Sequence, residues 1–177
     1  MREGAILSGV RFARLTADDL LAIERQPSQR LLLGAAESIE RDEAEALADQ
    51  DDAWSCWRGD RLLACVGINE TFPGRQGVAW ALLATALGAA HLPLTRFVAG
   101  RIAASPLARI EAFARSAVGD PAFDQFPELD SGQKVAIVMA APSPELRWAR
   151  RVGLEPAHVL RKFGAASETY VLCERIR

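Results

Sequence analysis

Between Arg75 and Arg96 the chain carries no formal charge, and residues 77–97 read GVAWALLATALGAAHLPLTRF. A stretch like this crosses a membrane, cradles a phosphate, or runs as a buried strand into a helix. Its length would suit a membrane span, but its chemistry does not. It is rich in alanine rather than leucine and is interrupted by Gly88, His91 and Pro93. Pro93 belongs in the first turn of a new helix. The parse that satisfies all three interruptions is a central strand at 78–85, a loop at 86–92, and a helix from Pro93 through Phe97, Val98 and Ile102.

The rest of the chain supports a buried setting for that strand. At 177 residues, 50% hydrophobic and 25% charged, it suits one globular domain over 1–177. The net charge of -2 gives no basic field for nucleic acid or anionic lipid. Cys56, Cys65 and Cys173 are far apart and form no CxxC pair, so buried free thiols are expected. His91 and His158 are the only histidines, and no metal site is expected. The N-terminal MREGAILSGVRF has too short an apolar run for a secretory signal, so the expected location is cytoplasmic.

Punctuation residues divide the chain into elements. VRFARL alternates as a strand. Thr16 then caps a helix with Asp18 and Asp19 in its first turn, Leu20, Leu21 and Ile23 on its apolar face, and Pro27 as its stop. A second helix is expected over 38–50, its carboxylates (Glu40, Asp42, Glu43, Glu45, Asp49) forming a solvated face rather than a metal cluster. AWSCW and RLLACVGINETF flank Arg58-Gly59-Asp60 as a hairpin, and PGRQG turns into the central strand. Beyond Ile102, Pro106 kinks or restarts the helix, with Leu107, Ile110, Phe113 and Ala114 continuing an apolar face.

Residues 118–133 read as an irregular insertion pinned by Phe123 and Phe126. KVAIVMA, bounded by Gly132 and Pro142, is expected as a strand buried on both faces, with RIEAFARS the alternative for that fifth strand. Ser143-Pro144-Glu145 starts a helix that Gly153 ends. HVLRKF and ETYVLCERI close the chain as an antiparallel pair.

This order of elements resembles the GNAT superfamily of acetyl-CoA-dependent N-acyltransferases. VRFARLTADDL, the hairpin into VAWALLAT, and PSPELRWARRVGLEPAHVLRKFG carry the likeness. It implies an α/β single domain: a mixed, mostly antiparallel sheet flanked by helices, with central strands that splay apart around an acyl-CoA. HLPLTRF and ELRWARRVGLE are also similar to acetyltransferase-like virion proteins encoded by phages. That likeness implies phage or prophage origin, protein partners among virion or assembly components, and a host-cytoplasmic or virion location. Oligomeric state is left open.

The resemblance places the cofactor beside Leu82, Leu83, Gly88, Ala89, Ala90 and Arg96. Pyrophosphate needs successive backbone N–H groups at a helix N-terminus. Here the loop holds one glycine, no arginine before Arg96, and Pro93 without a donor. The usual acid is a tyrosine four residues before the closing glycine, and the residue four before Gly153 is Ala149. Trp148 beside it cannot act as an acid, and the only tyrosine, Tyr170, falls in the last strand as a structural residue. Glu70 and His91 remain as candidates to take a proton from an amine. Two readings therefore stand: a GNAT-fold protein with a degenerate acyl-CoA site and no cofactor, or a working acetyl-CoA-dependent N-acetyltransferase.

Overall fold

The computed structural model describes residues 6, 7, 9–26, 29, 39–164 and 167–177. A capping box starts the first helix: Thr16 Oγ1 accepts from the Asp19 N–H at 3.3 Å, and Asp19 Oδ2 accepts from the Thr16 N–H at 3.1 Å. That helix, α1, spans only Ala17–Ala22, following strands β1 (Ile6–Leu7) and β2 (Val10–Arg14). Pro27 lies outside the described residues. Leu20 and Ile23 are buried while Leu21 is exposed, so the apolar face is narrower than expected. Helix α2 is Arg41–Ala48, shorter than 38–50, with its carboxylates exposed as anticipated.

Strands β3 (Asp52–Arg58), β4 (Arg61–Phe72) and β5 (Gln76–Leu83) form an antiparallel meander. A short 3-10 turn, Gly88–Ala90, leads into α3, His91–Ala104. The helix thus begins two residues before Pro93, which still falls in its first turn. Its inner face carries Leu94 and Ile102, both buried. Phe97 stacks on Phe12 with ring centroids 3.9 Å apart, and Trp54 meets it edge-on at 5.5 Å.

Two expectations fail in this region for one reason. Pro106 ends the helical run, and Arg109–Arg115 is strand β6. Charged Arg109, Glu111 and Arg115 alternate with Ile110, Ala112 and Ala114, a period of two that the 3.6-residue reading of Leu107, Ile110, Phe113 and Ala114 overlooked. KVAIVMA is correspondingly helix, not strand: it lies in α5, Ser131–Ala140. Asp130 accepts from the Gln133 N–H at 2.8 Å, and Gln133 returns the bond at 2.9 Å, which fixes a helix start. A short apolar run cannot by itself distinguish a buried strand from a helix. RIEAFARS is the strand of the two.

The 118–133 segment contains helix α4, Pro121–Asp124. Phe123 is fully buried, but Phe126 is 50% exposed and pins nothing. Instead Arg161 donates to Asp120 at 2.9 and 3.1 Å and also pairs with Asp124. This charge-assisted fork holds the Asp120 carboxyl below its ordinary range. Helix α6 is Pro144–Arg151, capped by Ser143, and Gly153 follows at φ 95°, the left-handed conformation that ends a helix.

Strands β7 (Glu155–Phe163) and β8 (Glu168–Ile176) complete a single sheet ordered β1-β2-β3-β4-β5-β6-β8-β7. Among the described strands only β5 and β6 run parallel. One face is covered by α1 and α2 over Leu15, Leu20, Ala44 and Cys65. The other is covered by α3, α4, α5 and α6, with Ile102, Phe123, Val138, Leu146 and Ala149 in one core cluster. No described helix is long and apolar enough to cross a membrane.

Candidate functional site: the cleft between β5 and β6

The parallel pairing of β5 with β6 runs only from Gln76↔Arg109 to Val78↔Glu111. Beyond Val78 the strands separate, so the splay expected of the central strands is present, with β6 rather than KVAIVMA on its far side. Gly77 sits at the apex. A Cβ there would lie 2.8 Å from Ile68 Cγ2, 2.9 Å from Leu107 Cδ1 and 3.0 Å from the Asn69 carbonyl.

Backbone alternation tells which peptide groups of β5 face the cleft. The Arg75 carbonyl accepts from the Arg109 N–H, on the β6 side, at 3.1 Å, whereas the Ala84 N–H donates to Leu63, on the β4 side, at 2.9 Å. Odd-numbered residues therefore point their backbone groups toward β6 and the opening. Ala81 and Leu83 are the last two on that edge. Three of their four groups have partners from the segment after α1. The Gln29 carboxamide donates to the Ala81 carbonyl at 3.0 Å and accepts from the Leu83 N–H at 2.7 Å. The Gln26 N–H donates to the Leu83 carbonyl at 2.9 Å, and the Gln26 side chain donates to the Ala84 carbonyl at 3.2 Å.

The expected cofactor residues surround this edge. Leu82 turns with Trp80 to the α1/α2 face, while Leu83 turns to the α3 face. Gly88 takes φ 47°, and nothing lies within 4 Å of a Cβ built there, so its conformation, not a close approach, favours glycine. Ala89 is exposed and Ala90 fully buried against Leu87 and Leu94. Three donors that could wrap a pyrophosphate are committed within the turn. The Leu87, Ala90 and His91 N–H groups donate to the Ala84, Leu87 and Gly88 carbonyls, and Pro93 has none. Arg96 is exposed on α3, more than a helical turn beyond His91.

Glu70 and His91 are not brought together. Glu70 pairs with Gly77 at the closed end of the cleft, is exposed, and accepts from the Gly74 N–H at 2.7 Å within its own hairpin. Six residues along β5 separate Gly77 from Leu83, roughly 20 Å at strand rise. His91 belongs to a cluster that sequence reasoning missed. Thr95 Oγ1 donates to the His91 carbonyl at 2.7 Å, and the Trp148 indole N–H donates to Thr95 Oγ1 at 2.8 Å. The His91 and Trp148 rings meet edge-on at 6.1 Å. Ala149, at the position of the usual acid, is 6% exposed in the core beneath α6. Tyr170 is buried in β8, and burial raises its phenol above the ordinary value.

The other tryptophans also have local partners. Trp54 lies between Arg14 and Arg101, whose guanidinium carbons are 5.3 and 5.2 Å from its ring, and donates to Asp52 at 2.6 Å. Trp57 donates to Ser55 at 2.9 Å. Trp80 lies flat against Gly67, and its indole N–H is buried without a partner. Among the described residues no group of His, Cys, Asp and Glu is arranged to hold a metal ion.

No protein-family model matches the sequence, and no curated protein matches it. Solved structures do match in shape. A GNAT-family acetyltransferase from Bacillus anthracis superposes with a TM-score of 0.60 at 9% identity, covering 98% of each chain. An aminoglycoside 6'-N-acetyltransferase complexed with coenzyme A gives 0.61 at 12%, covering 90% of this chain and 89% of that one. A GNAT-like decarboxylase in complex with isobutyryl-CoA gives 0.62 at 14%, covering 94% and 98%. Acetyl transfer and decarboxylation share this scaffold, so the fold leaves the chemistry open. Strand order, the parallel pair at the splay and these likenesses agree that this chain has the GNAT fold.

Proposed function

We propose that this is an acetyltransferase-like protein whose acyl-CoA site is degenerate and which works through protein contacts. The observation that carries the reading is at the junction of α3 and α6. The position of the usual acid is buried Ala149, and the neighbouring Trp148 has its indole N–H committed to Thr95. Among the described residues the only tyrosine, Tyr170, is buried in β8 and no phenol is offered to a leaving thiolate. The phosphate side agrees, since residues 76–95 hold no lysine or arginine and the Leu87, Ala90 and His91 amides are bonded within the turn into α3. The residues present therefore do not fit coenzyme A, and no catalytic step is assigned to them.

Phage or prophage origin and a role in virion assembly are part of the proposal. They rest on the likeness of HLPLTRF and ELRWARRVGLE to virion proteins of that kind. Capsid, portal or tail genes beside the coding sequence support them; a neighbourhood of host metabolic genes removes them.

Calorimetry with acetyl-CoA tests the biochemical part. The expected result is no heat up to millimolar ligand. Micromolar binding that a bulky replacement of Gly88 abolishes would overturn it. A second reading, an active N-acetyltransferase of unknown amine acceptor, is favoured by the preserved splay, because positioning alone accelerates acyl transfer. Release of free thiol from acetyl-CoA in the presence of an amine panel would establish that reading.

A further inference from the structure

At the open end of the β5 edge a ligand with an amide would gain two directional hydrogen bonds, and the chain has put an amide of its own there. Where β5–β6 pairing stops at Val78↔Glu111, the next cleft-facing groups toward the open end include the Ala81 carbonyl and the Leu83 N–H. An incoming amide would donate to the first and accept from the second. Gln29 does both, at 3.0 and 2.7 Å, and the residue is only 9% exposed. Its contact spans 52 and 54 residues of sequence, so it is tertiary and not a turn within one segment. Gln26 adds a backbone bond to the Leu83 carbonyl, and Arg25 bridges Ala84.

We infer that Gln29 is a built-in competitor: its carboxamide occupies the amide-reading edge of β5 and holds the cleft closed to amide-bearing ligands. The inference rests on the reading of the acyl-CoA site as degenerate and supplies a physical device for it. Two chemical features make the competition specific. A carboxamide carries a donor and an acceptor on the same carbon, side by side, matching the carbonyl and N–H two residues apart on a strand edge. And the edge groups are part-buried and bonded where Gln29 covers them, so a ligand must replace both bonds. A ligand that binds only the uncovered edge has its apparent affinity reduced by the uncovered fraction.

Two variants and two readouts test this on the full chain. Gln29→Ala removes donor and acceptor. Gln29→Glu keeps the size and the acceptor but, as a carboxylate, turns a second oxygen on the Ala81 carbonyl. In both, the Leu83 amide hydrogen is expected to exchange with deuterium at least about tenfold faster than in the unaltered protein, and pantetheine, the probe ligand, to bind at least about tenfold tighter. Unchanged Leu83 exchange would show that the contact is not made in solution. Faster exchange with no gain in pantetheine affinity would show that Gln29 covers the edge without excluding a ligand. Either result overturns the inference. Acetyl-CoA turnover by the unaltered protein would remove the proposed function yet leave this ratio between variants to stand or fall alone.

Discussion

Replacing Gly77 by alanine probes the apex from which the cleft opens. The new methyl would stand 2.8 Å from Ile68 Cγ2, 2.9 Å from Leu107 Cδ1 and 3.0 Å from the Asn69 carbonyl. Real carbon contacts are half an ångström or more longer, and the carbonyl belongs to β4, whose partner at that register is Val78. Neither the side chains, which lie in the core, nor the backbone can retreat without disturbing pairing. Overpacking of this kind costs about 1–3 kcal/mol. Gly100→Ala is the matched control. It lies exposed within α3 with nothing inside 4 Å of a Cβ, and removing a helix-interior glycine stabilises by about 0.5–1 kcal/mol. The two substitutions add the same atom and should move stability in opposite directions. Urea unfolding followed by tryptophan fluorescence measures the difference. For a chain of this size, melting temperature should change by roughly 2–4 °C per kcal/mol. A Gly77→Ala protein as stable as the parent, or both variants shifting the same way, would show that the apex is not tightly closed.

Other consequences follow from burial and capping. Ser143 donates its hydroxyl to the Arg115 carbonyl at 2.5 Å and accepts from the Leu146 N–H at 3.1 Å, tying α6 to β6; Ser143→Ala should lose about 2 kcal/mol in the same urea assay. Burial pushes the Cys56 and Cys173 thiols up to about 12 and that of Cys65 higher still, so none should react with a thiol reagent at pH 8 until denaturant is added. The same shifts set a sign for alkaline pH. Unfolded thiols ionise near pH 9 while folded ones stay protonated, so the unfolded state binds fewer protons there and stability falls as pH rises from 9 toward 12. Unfolding midpoints that rise over that interval in reducing buffer would contradict the buried assignment.

Local signals carried most of the fold. Thr16 and Ser143 declared helix starts through bonds to the backbone three residues on, and Arg58-Gly59-Asp60 declared a hairpin through its turn composition. These effects act within one turn of chain, so one sequence suffices to read them. The exchange of strand and helix between RIEAFARS and KVAIVMA had another origin. RIEAFARS alternates charged and apolar residues, whereas KVAIVMA is a short apolar run that periodicity alone leaves ambiguous, and what separates them is the Asp130–Gln133 box on one side and pairing with β5 and β8 on the other. The cleft was legible only as a splay. Gln26 and Gln29 leave no periodic or motif signal, because a glutamine in a connection looks the same whether it faces water or bridges a strand edge. The Thr95–Trp148 bond joins helices 53 residues apart and is equally silent in the sequence.

The place of β8 between β6 and β7 has a consequence for how the molecule is made. Its register runs against β6 from Arg109↔Ile176 to Arg115↔Tyr170, and against β7 from Glu155↔Glu174 to Phe163↔Glu168. On the ribosome, the β2–β5 meander has every partner it needs early. The β6 and β7 edges must wait with their hydrogen-bonding groups unmatched until the last of these strands leaves the exit tunnel. One half of the sheet is therefore assembled as it is synthesised, and the other closes in a single late event.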